Sequence, residues 1–216
     1  MYYFPFTLDS VLSGKGNVEK AIYRHMSGLK ILPVSLSLED VSKIRLKRFE
    51  DVIDELKGFT KLILIDSAPG FGREALTAMK VCDEFLIVAN PDFTSITDVK
   101  KVLKISSELG VKVLGIVLNR VRFNPFELSK REVEIETNCR VLGIIPENDI
   151  FKKSLFLRTP VVSLDPNNEI SIRFKEIASK ILGISYSPPL TLSFFDRIKY
   201  SLKNFVSSSL SLIKRV

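Results

Sequence analysis

The 216-residue chain is 45% hydrophobic and 26% charged, enough apolar content for one sizeable core and too much for a disordered chain. Thirty-two bases against 25 acids leave a net charge of +7, which points toward nucleic acid or a membrane surface without choosing between them. Two cysteines in unrelated contexts, Cys82 and Cys139, do not make a disulfide framework or a metal site, no stretch reads as a signal peptide, and no apolar run approaches bilayer length, so we expect buried thiols in an intracellular, cytoplasmic protein.

The opening stretch carries Pro5 and a helix start at Thr7, which speaks against a buried first strand. S-G-K-G-N-V-E-K (13–20) then nearly spells a phosphate-binding glycine loop. Asn17 and Glu19 stand where glycines are wanted, Ala21 stands where a Mg²⁺-binding hydroxyl belongs, and Glu19 would repel an anion. The spacing therefore predicts an ordinary turn between two short helices. His25, beside Arg24 and without a carboxylate or cysteine nearby in sequence, reads as a surface residue.

From Leu29 onward short apolar runs alternate with helical stretches. Strands are predicted at 29–34, 61–65, 85–89, 111–118 and 141–145. Helices are predicted from Ser37 to about Leu56, closed by Gly58, and near 73–82, 95–108, 127–137 and 168–182, the last closed by Gly183. Near-continuous apolar strands alternating with helices predict a mostly parallel, doubly wound α/β sheet, with function at the C-terminal ends of the strands. I-S-Y-S-P-P-L reads as a linker. The expected organisation is an α/β domain over 1–183, a linker over 184–191 and an amphipathic helix over 192–216.

Three strand ends carry candidate chemistry. Asp66 follows L-I-L-I, with Pro69, Gly70 and Gly72 shaping the loop; such an acid either holds a hydrated Mg²⁺ or caps a helix, and the glycines either admit a γ-phosphate or make a tight turn. Asn119 offers an amide for a base edge and Arg120 a guanidinium that can stack. I-I-P-E-N-D (144–149) is loop chemistry unless a ligand lies beside it.

Taken together, S-L-S-L-E-D (35–40), L-I-D-S-A-P-G (64–70), R-E-A-L-T-A (73–78), A-N-P-D (89–92), V-L-G-I-V-L-N-R-V (113–121) and V-L-G-I-I-P-E (141–147) resemble the MinD branch of the MinD/ParA ATPases, over most of residues 7–183. That family is a deviant phosphate-loop ATPase that dimerises around ATP and cycles on a membrane or on DNA. The resemblance implies an outer-shell Mg²⁺ role for Asp66, γ-phosphate sensing for Gly70, and adenine contacts for Asn119 and the turn of Pro146, Glu147 and Asn148. It also implies ATP and Mg²⁺ as cofactors, and a homodimer or a heterodimer with a loop-bearing homologue.

These 216 residues do not contain the strand and the loop G-K-G-G-V-G-K-T with which MinD-like chains begin. We therefore expect a sheet lacking its first strand and phosphate loop, weak ATP binding at best, and no hydrolysis, because the lysine and hydroxyl that stabilise transferred phosphoryl charge are not supplied. Three accounts stay open: the true start lies upstream, giving a truncated copy of an active ATPase; a partner supplies the strand and loop; or the sheet has rearranged around a degenerate, catalytically silent core. As to function, a noncatalytic interaction module that pairs with an active homologue is a further alternative.

In the C-terminal stretch Phe194, Phe195, Ile198, Leu202, Phe205, Val206, Leu210 and Ile213 fall on one half of a helical wheel, with Arg197, Lys203, Lys214 and Arg215 opposite. Residues 191–216 hold five bases and one acid, so a net +4 of the total +7 concentrates there. A basic amphipathic helix of this kind suits a membrane interface, where each cation near anionic lipid adds ~1 kcal/mol. The family uses a C-terminal amphipathic helix in this way, so we expect a peripheral protein at the inner face of the cell membrane and no specific nucleic-acid partner. The bland alternative is a helix packed on the domain or on a partner.

Overall fold

The computed structural model describes residues 4–34, 46–67, 70 and 72–188. The chain divides between Cys82 and Asp83 into two compact units.

The first unit opens with α1 (Leu8–Leu12) and α2 (Val18–Ala21). Thr7 precedes α1 in extended conformation and Asn17 Oδ1 caps α2 by accepting from the Lys20 N–H, so both starts follow from short polar side chains competing for backbone donors. β1 (Tyr23–Arg24) and β2 (Lys30–Ile31) form an antiparallel two-stranded ladder. The strand expected over 29–34 is thus reduced to two residues; Pro33 has no N–H to donate and ends it. The turn between β1 and β2 exposes His25, whose Nδ1 accepts from the Ser27 N–H at 3.2 Å, in line with a surface role.

Next come α3 (Leu46–Lys57) and α4 (Arg73–Val81). Residues 35–45 of the long helix expected from Ser37 lie outside the described residues. Phe49, Val52, Ile53 and Leu56 recur at helical spacing and bury against Val11, Val18 and Ala21. Residues 61–65 join no ladder among the described residues, contrary to the strand expected there. They keep a period of two all the same: Ile63 and Ile65 pack on this core, while Leu62 is 50% and Leu64 81% exposed. An apolar alternation makes a stretch ready for a sheet, but a ladder exists only where a neighbour supplies the other half of each hydrogen bond.

The second unit is built on β3 (Glu84–Ala89), β4 (Lys112–Val121) and β5 (Val141–Pro146), parallel and in that spatial order. Between them run α5 (Phe93–Leu109) and α6 (Lys130–Thr137), followed by α7 (Ile150–Leu157), α8 (Val161–Leu164) and α9 (Glu169–Leu182). Both faces of the sheet are covered. Ile116 and Leu118 face a core shared with Ile96, Val99 and Val133, whereas Val117 on the opposite face joins Val161, Ile170 and Ile177. Burial on both sides is why these strands read as continuous apolar runs, and it makes this unit a doubly wound α/β layer. The expected helices and strands of this unit are present, α5, β3 and β4 running somewhat longer and α6 starting later. The two short helices α7 and α8 occupy a stretch the sequence left unassigned. No helix among the described residues is long and apolar enough to cross a membrane. The segment expected to form an amphipathic helix, 192–216, lies outside the described residues.

Candidate functional site

The C-terminal ends of the three parallel strands form one stitched rim. Along β4, Leu118 pairs with Ile144 and the next pair is Val121 with Pro146, so β4 spends three steps where β5 spends two. Asn119 and Arg120 occupy this bulge, and Arg120 takes a left-handed φ of 55°. A bulge at a strand end redirects side chains. Left-handed backbone costs a non-glycine residue roughly 1–2 kcal/mol, so neighbouring contacts must hold it.

Several such contacts lie close by. The Glu147 N–H donates to the Val121 carbonyl at 3.0 Å, fastening the end of β4 to that of β5. The Arg122 N–H donates to both carboxylate oxygens of Glu127, at 3.1 and 2.9 Å. The Leu128 N–H donates to the Pro91 carbonyl at 2.8 Å, fastening the same loop to the segment after β3. Asn119 is half-buried on this rim, and its carboxamide has no protein partner among the described residues, so both its donors and its acceptor stay available to a ligand. The Arg120 side chain is exposed beside it.

At the end of β5, Pro146 is half-buried and Glu147 and Asn148 have structural work. Glu147 Oε2 lies 3.7 Å from the Arg122 guanidinium, and Asn148 Oδ1 accepts from the Ile150 N–H at 2.9 Å as α7 begins. Their carboxylate and amide oxygen are thereby engaged inside the rim. One residue on, a hydrogen bond and the positive charge of Lys152 hold the Asp149 carboxyl below its usual range, and the lysine is raised in return.

Asp66 and Gly70 belong to the first unit. Asp66 is exposed after residues 61–65, and Gly70 has a φ of +88° with open space where a Cβ would sit, the left-handed conformation that favours glycine. Pro69 lies outside the described residues. Residues 13–17 form the connection between α1 and α2: the N–H groups of Ser13, Gly14 and Lys15 donate to Asp9, Val11 and Ser10 carbonyls. Donors spent on the turn are not aimed at an oxyanion, so this glycine-lysine stretch is a helix connection, as its sequence indicated.

The family described as ParA: NUBPL iron-transfer P-loop NTPase matches residues 54–182. The chain belongs to the MinD/ParA family of P-loop NTPases. It is 31% identical to an uncharacterized ATP-binding protein of Methanocaldococcus jannaschii, over 86% of this chain and 70% of that protein. Its fold is similar to the crystal structure of the Pyrococcus furiosus cell division ATPase MinD, with a TM-score of 0.77 at 30% identity over 85% of this chain and 78% of the other. It is also similar to the Pyrococcus horikoshii septum site-determining protein MinD complexed with Mg-ADP, with a TM-score of 0.75 at 29% identity over 82% and 73% of the two chains.

Within this MinD/ParA chain the donor sets differ in what they fit. Among the described residues no group of three or more His, Cys, Asp or Glu side chains could hold a metal ion. A single exposed carboxylate such as Asp66 suits Mg²⁺ that keeps its waters and is carried by nucleotide phosphates, an ion that supplies charge neutralisation when bound. Arg122 and Glu127 were not singled out by sequence reasoning. Their signal was weak: a glutamate five residues after an arginine in a polar loop says nothing about a carboxylate that turns back onto a backbone N–H. The tail residues Phe194, Phe195, Arg197, Ile198, Leu202, Lys203, Phe205, Val206, Leu210, Ile213, Lys214 and Arg215 lie outside the described residues.

Proposed function

We propose that this chain is a MinD-like, membrane-associated positioning or partitioning protein whose strand-end rim receives the base of an adenine nucleotide, and that these 216 residues by themselves bind ATP weakly and do not hydrolyse it. Asn119 offers its carboxamide to the base, Arg120 stacks or balances charge, and the Pro146 to Asn148 turn walls the base. For Asp66 and Gly70, in the first unit, the reading keeps the Mg²⁺ and γ-phosphate roles that the family resemblance implies. Weak binding follows from the phosphate side, since the one glycine-lysine stretch in the sequence is committed to a helix connection.

The membrane half of the reading is carried by the segregation of apolar and basic residues over 191–216, where five of the bases lie. Deleting 191–216 is expected to abolish sedimentation with vesicles containing phosphatidylglycerol while leaving the circular dichroism spectrum of the remainder unchanged in shape. A truncated protein that still sediments with those vesicles overturns the anchor.

A second reading, pairing with a loop-bearing homologue, is favoured by β3. It lies at the edge of its ladder among the described residues, and Val88 on it is 61% exposed. Copurification of the two chains tests it, and a monomer at all concentrations in the presence of the homologue rejects it.

A further inference from the structure

We infer that Glu127 is a positioning residue that sets nucleobase selectivity by holding the β4 bulge, an inference that rests on the proposed adenine rim. The bulge puts Asn119 beside a left-handed Arg120, and three residues later Phe123 is left-handed too, with a φ of 56°. Two non-glycine residues in that conformation flank Arg122, so this short segment has little intrinsic reason to stay as it is. Besides the Glu147 N–H on the Val121 carbonyl and the packing of Phe123 on the core, it is held at the Arg122 N–H, gripped by both oxygens of the half-buried Glu127 carboxylate at 3.1 and 2.9 Å. A carboxylate accepting a backbone N–H is a charge-assisted bond, stronger than a neutral one.

Glu127 is itself fixed in place from both sides. Its own N–H donates to the Asn124 carbonyl at 3.2 Å, and the next residue, Leu128, donates to the Pro91 carbonyl at 2.8 Å. The Arg122 side chain meanwhile reaches Glu147 at 3.7 Å, on the turn proposed to wall the base. The carboxylate thereby grips the backbone three residues after Asn119, while the Leu128 N–H ties the same loop to the segment after β3 and the Arg122 side chain ties it to the turn after β5. Adenine and guanine present opposite donor and acceptor patterns on the edge that an amide reads, so a shift in the Asn119 backbone changes which base is preferred before it changes whether a base binds.

The test is saturation-transfer difference NMR on the full chain with ATP and GTP at millimolar concentration, a method suited to weak binding, for wild type, Glu127→Ala and Glu127→Gln. Wild type is expected to favour ATP. Glu127→Ala is expected to lower the ATP-to-GTP preference by roughly two- to tenfold, the span that one net hydrogen bond covers. Glu127→Gln, whose amide oxygen can still accept the Arg122 N–H, is expected to keep most of it. A variant that merely loosens the fold would weaken both nucleotides alike and leave the ratio unmoved. A discriminating wild type with an equally discriminating Glu127→Ala overturns the inference alone. A wild type that binds neither nucleotide, or both equally, overturns the adenine rim and the inference with it.

Discussion

Cys139 shows how far a single side chain departs from its sequence reading. It is half-buried where full burial was expected, and that partial burial still pushes its thiol above the ordinary value, with Glu134 adding to the rise and Arg140 opposing it. A thiol raised in the folded state favours folding while it is protonated, a contribution present below the unfolded pKa and lost as pH rises through the folded one. In a Cys82→Ser background, iodoacetamide alkylation of Cys139 is expected to reach half its maximal rate at higher pH in the native chain than in urea; coincident profiles would refute this. The structure puts Asn119 in the bulge of β4; that it sits at a strand end was legible in sequence, because it closes an apolar run. The commitments of Glu147 and Asn148 were not, because they are made to Arg122 and to the start of α7, contacts that no spacing reveals.

Among the elements, β5 and α9 meet at a glycine. A Cβ on Gly143 would lie 2.3 Å from Cγ1 and 2.7 Å from Cδ1 of Ile177, a buried residue of the core on that face, and Lys180 Nζ further fastens α9 to the Leu142 carbonyl at 2.6 Å. Gly143→Ala is expected to cost ~1–3 kcal/mol by overpacking, and Ile177→Ala, which removes the clashing Cγ1 and Cδ1, to cost less on that background than in the wild type, because contacting residues couple. Urea denaturation of the single and double variants measures both, and an unchanged midpoint for Gly143→Ala would contradict the close approach. The parallel strands and long helices of the second unit were legible because each has a strong period, and α9 also a clear stop at Gly183; the Ser129 cap that starts α6 three residues later than expected and the Gly110 that ends α5 were not read. Residues 61–65 carry an equally good strand pattern and form no ladder among the described residues, since pattern states a preference and pairing needs a partner.

At the scale of the molecule, a net +4 of the total +7 sits in residues 191–216. If the tail binds membrane through five bases joined to an apolar face, binding to phosphatidylglycerol vesicles should weaken as salt rises, because exposed charges are screened beyond ~10 Å at 0.1 M, yet persist in part through apolar burial. Full release by salt would recast the tail as a purely electrostatic contact, and no salt dependence would leave the cations without a role.

By itself the sequence determined the α/β character, the parallel layer of the second unit, the membership that the family motifs announced, and the helix connection over 13–17. The membership rests on the resemblance of those stretches to a known family; the rest follow from local periodicity, caps and turn residues, whose physics acts over a few positions. Only the tertiary structure decided the bulge at Asn119 and Arg120, the grip of Glu127 on Arg122 and the close approach at Gly143. Each depends on which backbone groups from distant positions are brought within hydrogen-bonding or van der Waals reach, and that is fixed when the layers pack.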